Sequence, residues 1–280
     1  MMRLGYNTNG LSDHDPLEAL ALLAELGYRS VALTINHGCL NPYAKDLPRQ
    51  IESFRRCLER CGLRSVLETG ARFLLDPRTK HEPTLVSADA ADRARRVEFL
   101  CRVIDLASEL GSDCVSLWSG VVRDGASREV AWSRLRAGLD KVVRHAERRN
   151  VVIGFEPEPG MLIDTMAAYE ELSRQFELPQ FALTLDLGHL HCQDELPIAE
   201  KIEHYAARLV NVHIEDTRRG VHEHLMFGEG EIDFPPIMDA LQRVAYEGGV
   251  HVELSRHSHD GLNAARRAYE FLSPLIRYDA

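Results

Sequence analysis

Basic residues are scarce beside acidic ones: 33 Lys and Arg stand against 43 Asp and Glu, for a formal net charge of −10. That balance argues against nucleic acid as the main partner, because proteins that grip phosphate backbones carry a basic face. No apolar run approaches the ~20 residues needed to span a bilayer, so no membrane partner is expected. The six cysteines (Cys39, Cys57, Cys61, Cys101, Cys114 and Cys192) form no CxxC pair, and no signal-peptide pattern opens the sequence. Reduced thiols in a cytoplasmic protein are the expectation. No glycine-rich phosphate turn follows the first strand, which argues against an open dinucleotide-binding sheet. Linkers, composition breaks and low-complexity tracts are also missing, so one domain over residues 1–280 is expected.

What is present is one phrase, repeated. Leu4-Gly-Tyr-Asn7 reads as a short strand, and Asp15-Pro16 then supplies an N-cap and a first-turn proline for a helix over Leu17 to Leu26, with Gly27 as its stop. A second strand follows at Ser30 to Ile35. The grammar returns as a helix over Leu47 to Cys61, Gly62 and a strand at Arg64 to Glu68, and again as a helix over Ala88 to Leu110, Gly111 and a strand at Asp113 to Trp118. Further helices are expected at Arg128 to Arg149, Thr165 to Gln175, Pro197 to Ala207, Phe234 to Ala245 and Asn263 to Leu275. Eight strands alternating with eight helices, joined by short helix-to-strand turns, predict an α/β protein of (β/α)₈ barrel type, a single-domain TIM barrel.

Four strands end alike. Leu183-Thr-Leu-Asp186, Val151-Val-Ile-Gly-Phe-Glu156, Leu209-Val-Asn-Val-His213 and Gly249-Val-His-Val-Glu253 each alternate apolar residues with residues of the opposite face. Asp186, Glu156, His213 and Glu253 therefore reach one rim of the barrel. Any one carboxylate there could be a buried ion-pair partner. Several anions clustered in a barrel mouth repel and are costly to desolvate unless a cation holds them. A divalent metal is the simplest neutraliser. Three oxygen ligands and one imidazole suit Mn²⁺, Mg²⁺, Co²⁺ or Zn²⁺, with positions left open for substrate oxygens.

With these residues in view, the chain resembles the xylose isomerase-like TIM barrels, which include sugar epimerases, hydroxypyruvate isomerase, inosose dehydratase and endonuclease IV-type apurinic endonucleases. The likeness is carried by Glu156, Asp186-Leu-Gly-His189, Asn211-Val-His213, Gly228-Glu-Gly-Glu-Ile-Asp233 and Glu253. It implies one divalent metal held by Glu156, Asp186, His213 and Glu253, with the two glutamates moving protons on and off a sugar carbon and His189 contacting the substrate. The expected function is a metal-dependent isomerase or epimerase of a sugar, sugar phosphate or related hydroxy-keto compound. An apurinic endonuclease, a dehydratase and a non-catalytic metal-binding sensor are the alternatives.

Departures from the family sharpen the choice. The endonucleases place histidines at the ends of strands three and four, where this chain offers Glu68 and Trp118. His222-Glu-His224 resembles the endonuclease Asp-x-His motif with His222 in the place of the Asp. A substrate contact by His224 is expected ahead of a second metal on His222 and His224, with Arg218 or Arg219 as other substitutes for an arginine that isomerases place there. Glu158, between two prolines, is a further candidate for the site. The loop from Thr69 to Ser87 carries Arg72, Arg78, Lys80 and His81 and is expected to fold over the pocket as a lid. Trp118 is expected either to floor a sugar by stacking or to belong to the core. The expected partner is a small sugar-like molecule, and a homo-oligomer is left open. His37, His145, His204, His257 and His259 show no partners in sequence, and Cys57 and Cys61 read as a packed helix face.

Overall fold

The computed structural model describes residues 2–176 and 178–276; Met1, Glu177 and residues 277–280, which the single-domain expectation includes, lie outside it. In chain order the elements are β1 (Arg3–Asn7), α1 (Pro16–Leu26), β2 (Ser30–Thr34), α2 (Leu47–Cys61), β3 (Arg64–Glu68), α3 (Ala90–Leu110), β4 (Val115–Leu117), α4 (Arg128–Arg149) and β5 (Ile153–Phe155). There follow α5 (Met166–Ser173), β6 (Phe181–Asp186), α6 (Leu187–Cys192), α7 (Ile198–Tyr205), β7 (Leu209–Ile214), β8 (Asp216–Arg218), β9 (Val221–Leu225), α8 (Phe234–Arg243), β10 (Gly249–Val252) and α9 (Gly261–Leu272). β1 to β7 and β10 close into one parallel barrel in the order β1-β10-β7-β6-β5-β4-β3-β2. β8 and β9 form a separate antiparallel ribbon.

The chemistry of the helix ends explains the repeated phrase. Asp15 caps α1 by accepting from the N–H groups of Leu17 and Glu18, satisfying donors that a helix start leaves unpaired. Gly27, Gly62 and Gly111 end α1, α2 and α3 in the left-handed region, with φ of 111°, 64° and 65°. Around Gly62 and Gly111 a Cβ would meet nothing, so the requirement is conformational. Asn150 does the same for α4 at φ 52°. Each stop lets the chain turn at once into the next strand.

Two elements escape the periodic reading. α6 has six residues, too few for a helical repeat to show, and it forms because the Asp186 carboxylate accepts from the N–H of His189. The ribbon β8–β9, in a stretch for which no element is expected from the sequence, turns at Gly220, φ 72°.

The apolar core lies between the barrel's outer face and the helices, with Phe99, Leu100, Val103, Leu135, Leu139, Val212, Met238 and Leu241 among its buried members. Inside the barrel the side chains are largely polar. His251 donates from Nδ1 to Asn211 Oδ1 at 2.8 Å, and its Nε2 accepts from the Ser30 hydroxyl at 2.8 Å. The Asn211 amide donates towards Thr184 Oγ1 at 3.4 Å and Glu68 Oε1 at 3.3 Å. Polar groups this deep are tolerated because each meets a partner.

Candidate active site

The four rim residues converge. Glu156 follows β5, Asp186 ends β6, His213 lies on β7 and Glu253 follows β10, and one ligand atom from each lies within 4.8 Å of all the others. Parallel pairing sets this, since Asp186 sits opposite His213, and His213 opposite His251, two residues before Glu253. His213 Nδ1 stands 2.9 Å from Glu156 Oε1, 3.1 Å from Glu253 Oε2 and 3.8 Å from Asp186 Oδ2. Its Nε2 is 3.0 Å from Glu68 Oε1.

Burial and crowding set the charges. Burial, with Asp186 and Glu253 adding repulsion against the pull of His213, pushes the Glu156 carboxyl up to about 8. Burial works against ionisation of Asp186 as well, but His189, His213 and His224 outweigh it and hold that group down at about 2. Burial alone would disfavour a charged His213, yet Glu156, Glu68 and Glu253 raise it well above the usual imidazole value. Glu253 is kept low against burial by His213, His224 and the Asn9 amide, which donates to its Oε1 at 2.8 Å.

This arrangement fits a divalent cation. Asp186 Oδ2 is buried with no hydrogen-bond partner, a costly state that a cation would relieve. His213 directs one nitrogen at three carboxylates and the other at Glu68, the arrangement by which a carboxylate orients a metal-binding imidazole. Glu156, Asp186, His213 and Glu253 are the residues that would hold the ion.

Other residues of the site carry weaker signals. Glu68, noted above only as an unexpected strand end, backs His213. Glu215 is 1 % exposed; burial, with Asp186 and Glu253 nearby, raises its carboxyl well above the ordinary value. Gly188 makes room for it, because a Cβ there would lie 1.9 Å from Glu215 Oε1. The Ile214-Glu-Asp216 acid pair directly after β7 was the available sign. Asp216 explains the Gly228 to Asp233 motif, accepting from the N–H groups of Gly228 (2.8 Å), Gly230 (2.9 Å) and Ile232 (3.2 Å).

The cluster opens into a cavity of about 410 Å³ whose lining includes Glu158, His189, His222 and His224 together with Arg72, Lys80 and Arg256. The loop after β3 does sit over the site: Arg72 donates to Asn9 O at 3.2 Å, and His81 donates from Nδ1 to Gly70 O at 2.7 Å. Burial, followed by the nearness of Arg72 and Arg256, holds the Lys80 ammonium below its ordinary value. Trp118 lines the cavity while largely buried, and Arg96 covers one face of its indole, with the guanidinium carbon 4.6 Å from the ring centroid.

Two expectations are corrected. Arg218 pairs with Glu223 at 2.8 Å and Arg219 with Asp194 at 3.3 Å, both exposed and outside the cavity lining, so neither substitutes for a pocket arginine. His145 and His204 do have partners, Asp105 at 2.7 Å and Glu170 at 3.5 Å. Arg78 is exposed and lies outside the cavity lining. Cys57 is buried on α2 as a packed residue, with Cys61 Sγ 4.0 Å away and both thiols free. Among the described residues no helix is long and apolar enough to cross a membrane.

A parallel eight-stranded barrel with a carboxylate and histidine cluster at the C-terminal strand ends defines a class of α/β-barrel proteins with a ligand pocket at that face. Within it, the chain belongs to the xylose isomerase-like TIM barrel family, whose sequence model matches residues 20–275. The L-ribulose-5-phosphate 3-epimerase UlaE of Shigella flexneri serotype 5b (strain 8401) is 26% identical over 240 residues, covering 85% of this chain and 81% of that one. The UlaE of Escherichia coli O1:K1 / APEC matches to the same extent. Among solved structures, an L-ribulose 3-epimerase superimposes with a TM-score of 0.78 at 24% identity, over 99% of this chain and 95% of that one. The D-allulose 3-epimerase from Methylomonas sp. gives 0.77 at 19% identity, over 98% of each. At these identities the structural likenesses speak to the fold alone.

Proposed function

We propose that this chain is a divalent-metal-dependent epimerase or isomerase acting on a ketose or ketose phosphate by proton transfer beside the carbonyl. The carrying observation is that Glu156 and Glu253, on separate strands, place carboxylate oxygens within 3.1 Å of the same His213 nitrogen while both line the cavity. Removing a proton from a carbon next to a carbonyl needs a base on one face, and inversion needs a second group to return the proton on the other. When bound, a divalent ion supplies Lewis-acid stabilisation of the enediolate charge.

The residues of the chain do the rest. Glu253, kept ionised by His213 and steered by the Asn9 amide, is the base. Glu156, whose Oε1 lies 2.9 Å from the same His213 nitrogen, is the group that returns the proton. Glu158, His189, His224 and Trp118 line the space a substrate would fill. Arg72, Lys80 and Arg256 also line the cavity, and such cations suit a phosphorylated ketose of the kind named for the UlaE relatives.

Solvent deuterium exchange tests this, with L-ribulose 5-phosphate, L-ribulose and D-allulose as first substrates. Exchange at the carbon beside the carbonyl, lost in Glu253→Gln while the metal stays bound, is the expected result. Equal exchange by that variant overturns the role of Glu253. Nicking of abasic DNA without exchange on any ketose would move the assignment to the endonucleases, and a product lighter by one water would make the enzyme a dehydratase.

A further inference from the structure

The 3₁₀ turn Thr8–Leu11, directly after β1, joins the base of the site to the lid through one residue. The Asn9 side chain donates from Nδ2 to Glu253 Oε1 at 2.8 Å, while Glu253 Oε2 lies 3.1 Å from His213 Nδ1. Each oxygen of that carboxylate has its own neighbour, and the two contacts fix its plane. The donor end of the amide has to face Glu253, because the reverse would set two acceptors together. Among the described residues the other end, Oδ1, is buried with no hydrogen-bond partner. The orientation of the amide is therefore set by Glu253 and by the backbone turn that carries it.

Two loops arrive at the Asn9 carbonyl. Arg72 of the lid donates to it from Nη2 at 3.2 Å, and the Ser258 hydroxyl, beyond β10, donates at 3.1 Å. A carbonyl oxygen offers two lone pairs, and here both are taken. The Asn9 N–H in turn donates to Asn7 Oδ1 at 3.1 Å, an oxygen that also accepts from Thr34 Oγ1 at 2.8 Å. Gly10 lets the turn rest on the backbone just past the base, since a Cβ there would stand 2.9 Å from Leu254 O. On the lid side, Ala71 and Arg72 both occupy the left-handed region, at φ 58° and 42°. Such backbone persists where its surroundings hold it, and Arg72 is held at both ends, its own carbonyl accepting from the His81 N–H at 2.6 Å.

We propose that Asn9 is a positioning residue that couples the seating of the lid to the alignment of Glu253. The Arg72 guanidinium and the Ser258 hydroxyl hold the Asn9 peptide, the peptide fixes the turn, and the turn presents the amide to Glu253 Oε1. With the lid away, the carbonyl keeps Ser258 alone, the turn loosens, and the carboxylate loses the contact that fixes its plane. The base is fully aligned only under a seated lid, which confines proton abstraction to a covered pocket. This rests on the reading of Glu253 as the base. The competing account makes Asn9 a direct substrate contact through its unpartnered Oδ1.

The test is a double-mutant cycle on kcat, with L-ribulose 5-phosphate, L-ribulose and D-allulose as substrates, beside a crystal structure of Arg72→Ala. Asn9→Ala should lower kcat roughly 10- to 10²-fold, the scale of effect that a misplaced reacting group has, with KM, bound metal and circular dichroism unchanged. Asn9→Asp, which keeps the shape and loses the donor, should lower kcat in the same way. Arg72→Ala should lower kcat about 10-fold in the native protein and not at all in Asn9→Ala, while its effect on KM persists in both. In the crystal of Arg72→Ala the amide should be withdrawn from Glu253 Oε1. Losses in kcat that multiply in the double variant overturn the coupling. A raised KM at unchanged kcat in Asn9→Ala overturns the positioning role in favour of substrate contact. If no ketose is turned over, the epimerase reading falls and the crystal decides the coupling: an amide still on Glu253 Oε1 in Arg72→Ala overturns it, and a withdrawn one upholds it.

Discussion

His213 and His251 face each other in register on β7 and β10, both buried to within 1 % of complete exclusion from solvent, and their pKa values are displaced in opposite directions. At His213 both ring nitrogens point at carboxylates, which raise its pKa well above the ordinary value against the opposing effect of burial. At His251 burial dominates, the partners are the neutral Ser30 and Asn211, and the ring is held neutral well below its ordinary value. Depth is the same, so the partners decide. The residues around His213 form a candidate cation site, and those around His251 a neutral hydrogen-bonded network.

Breaking the cation site should have the largest effect. Asp186→Asn removes a charged ligand and should lower metal occupancy, with activity falling roughly 10³-fold as several kcal/mol of Lewis-acid stabilisation are lost; elemental analysis beside kcat checks both. If neither form ever contains metal, the cation assignment fails.

Breaking the neutral network should instead cost stability. His251→Ala strands Asn211 Oδ1 and opens a cavity, for a loss of about 3 kcal/mol in chemical denaturation, with the ratio of bound metal to folded protein unchanged. A metal defect as large as that of Asp186→Asn would mean the two are not separable.

Glu68 joins the two, and Glu68→Gln sharpens the contrast. It keeps an acceptor for His213 Nε2 but removes the charge, so metal affinity should fall about 10- to 100-fold, read from competition with a chromophoric chelator. Unchanged affinity would make Glu68 a packing residue. At the lid, Arg72→Ala should raise KM several-fold, an effect of ~1 kcal/mol, and more for a ketose phosphate than for the free ketose. Equal KM values would place Arg72 off the substrate.

The smallest effect concerns a third histidine. Burial, with Lys80, Arg96 and Arg72 nearby, brings His81 down to about 4 from the ordinary 6.5. The folded loop therefore disfavours a proton that an unfolded loop would accept, so its folding should be most favourable above pH 6.5 and weaken as pH falls towards 4. After allowance for partial exposure this amounts to about 1 kcal/mol. Protease nicking between residues 70 and 85 should be faster at pH 4.5 than at pH 7.5, and His81→Gln should abolish the difference.

Much of this was legible in the sequence because it is local. The helix stops at Gly27, Gly62 and Gly111 state their conformational need in one letter, and alternation along β5, β6, β7 and β10 states which residues face inward. That placed Glu156, Asp186, His213 and Glu253 together before any coordinates. α6 and the β8–β9 ribbon were not legible, being too short for a period to register. Nor was the difference between Arg72, which reaches the cavity, and Arg218 and Arg219, which pair outside it.

The sequence by itself determined the barrel, its eight-fold alternation and the four strand ends, since each depends on spacing within a dozen residues. Only the tertiary structure decided the charges and partners. Whether the pKa of His213 is raised and that of His251 lowered, whether Glu68 backs His213, and whether His189 Nε2 is left bare by Pro157 depend on atoms up to 221 positions apart in the chain. Electrostatics acts through space over a few ångströms, and sequence distance does not measure it.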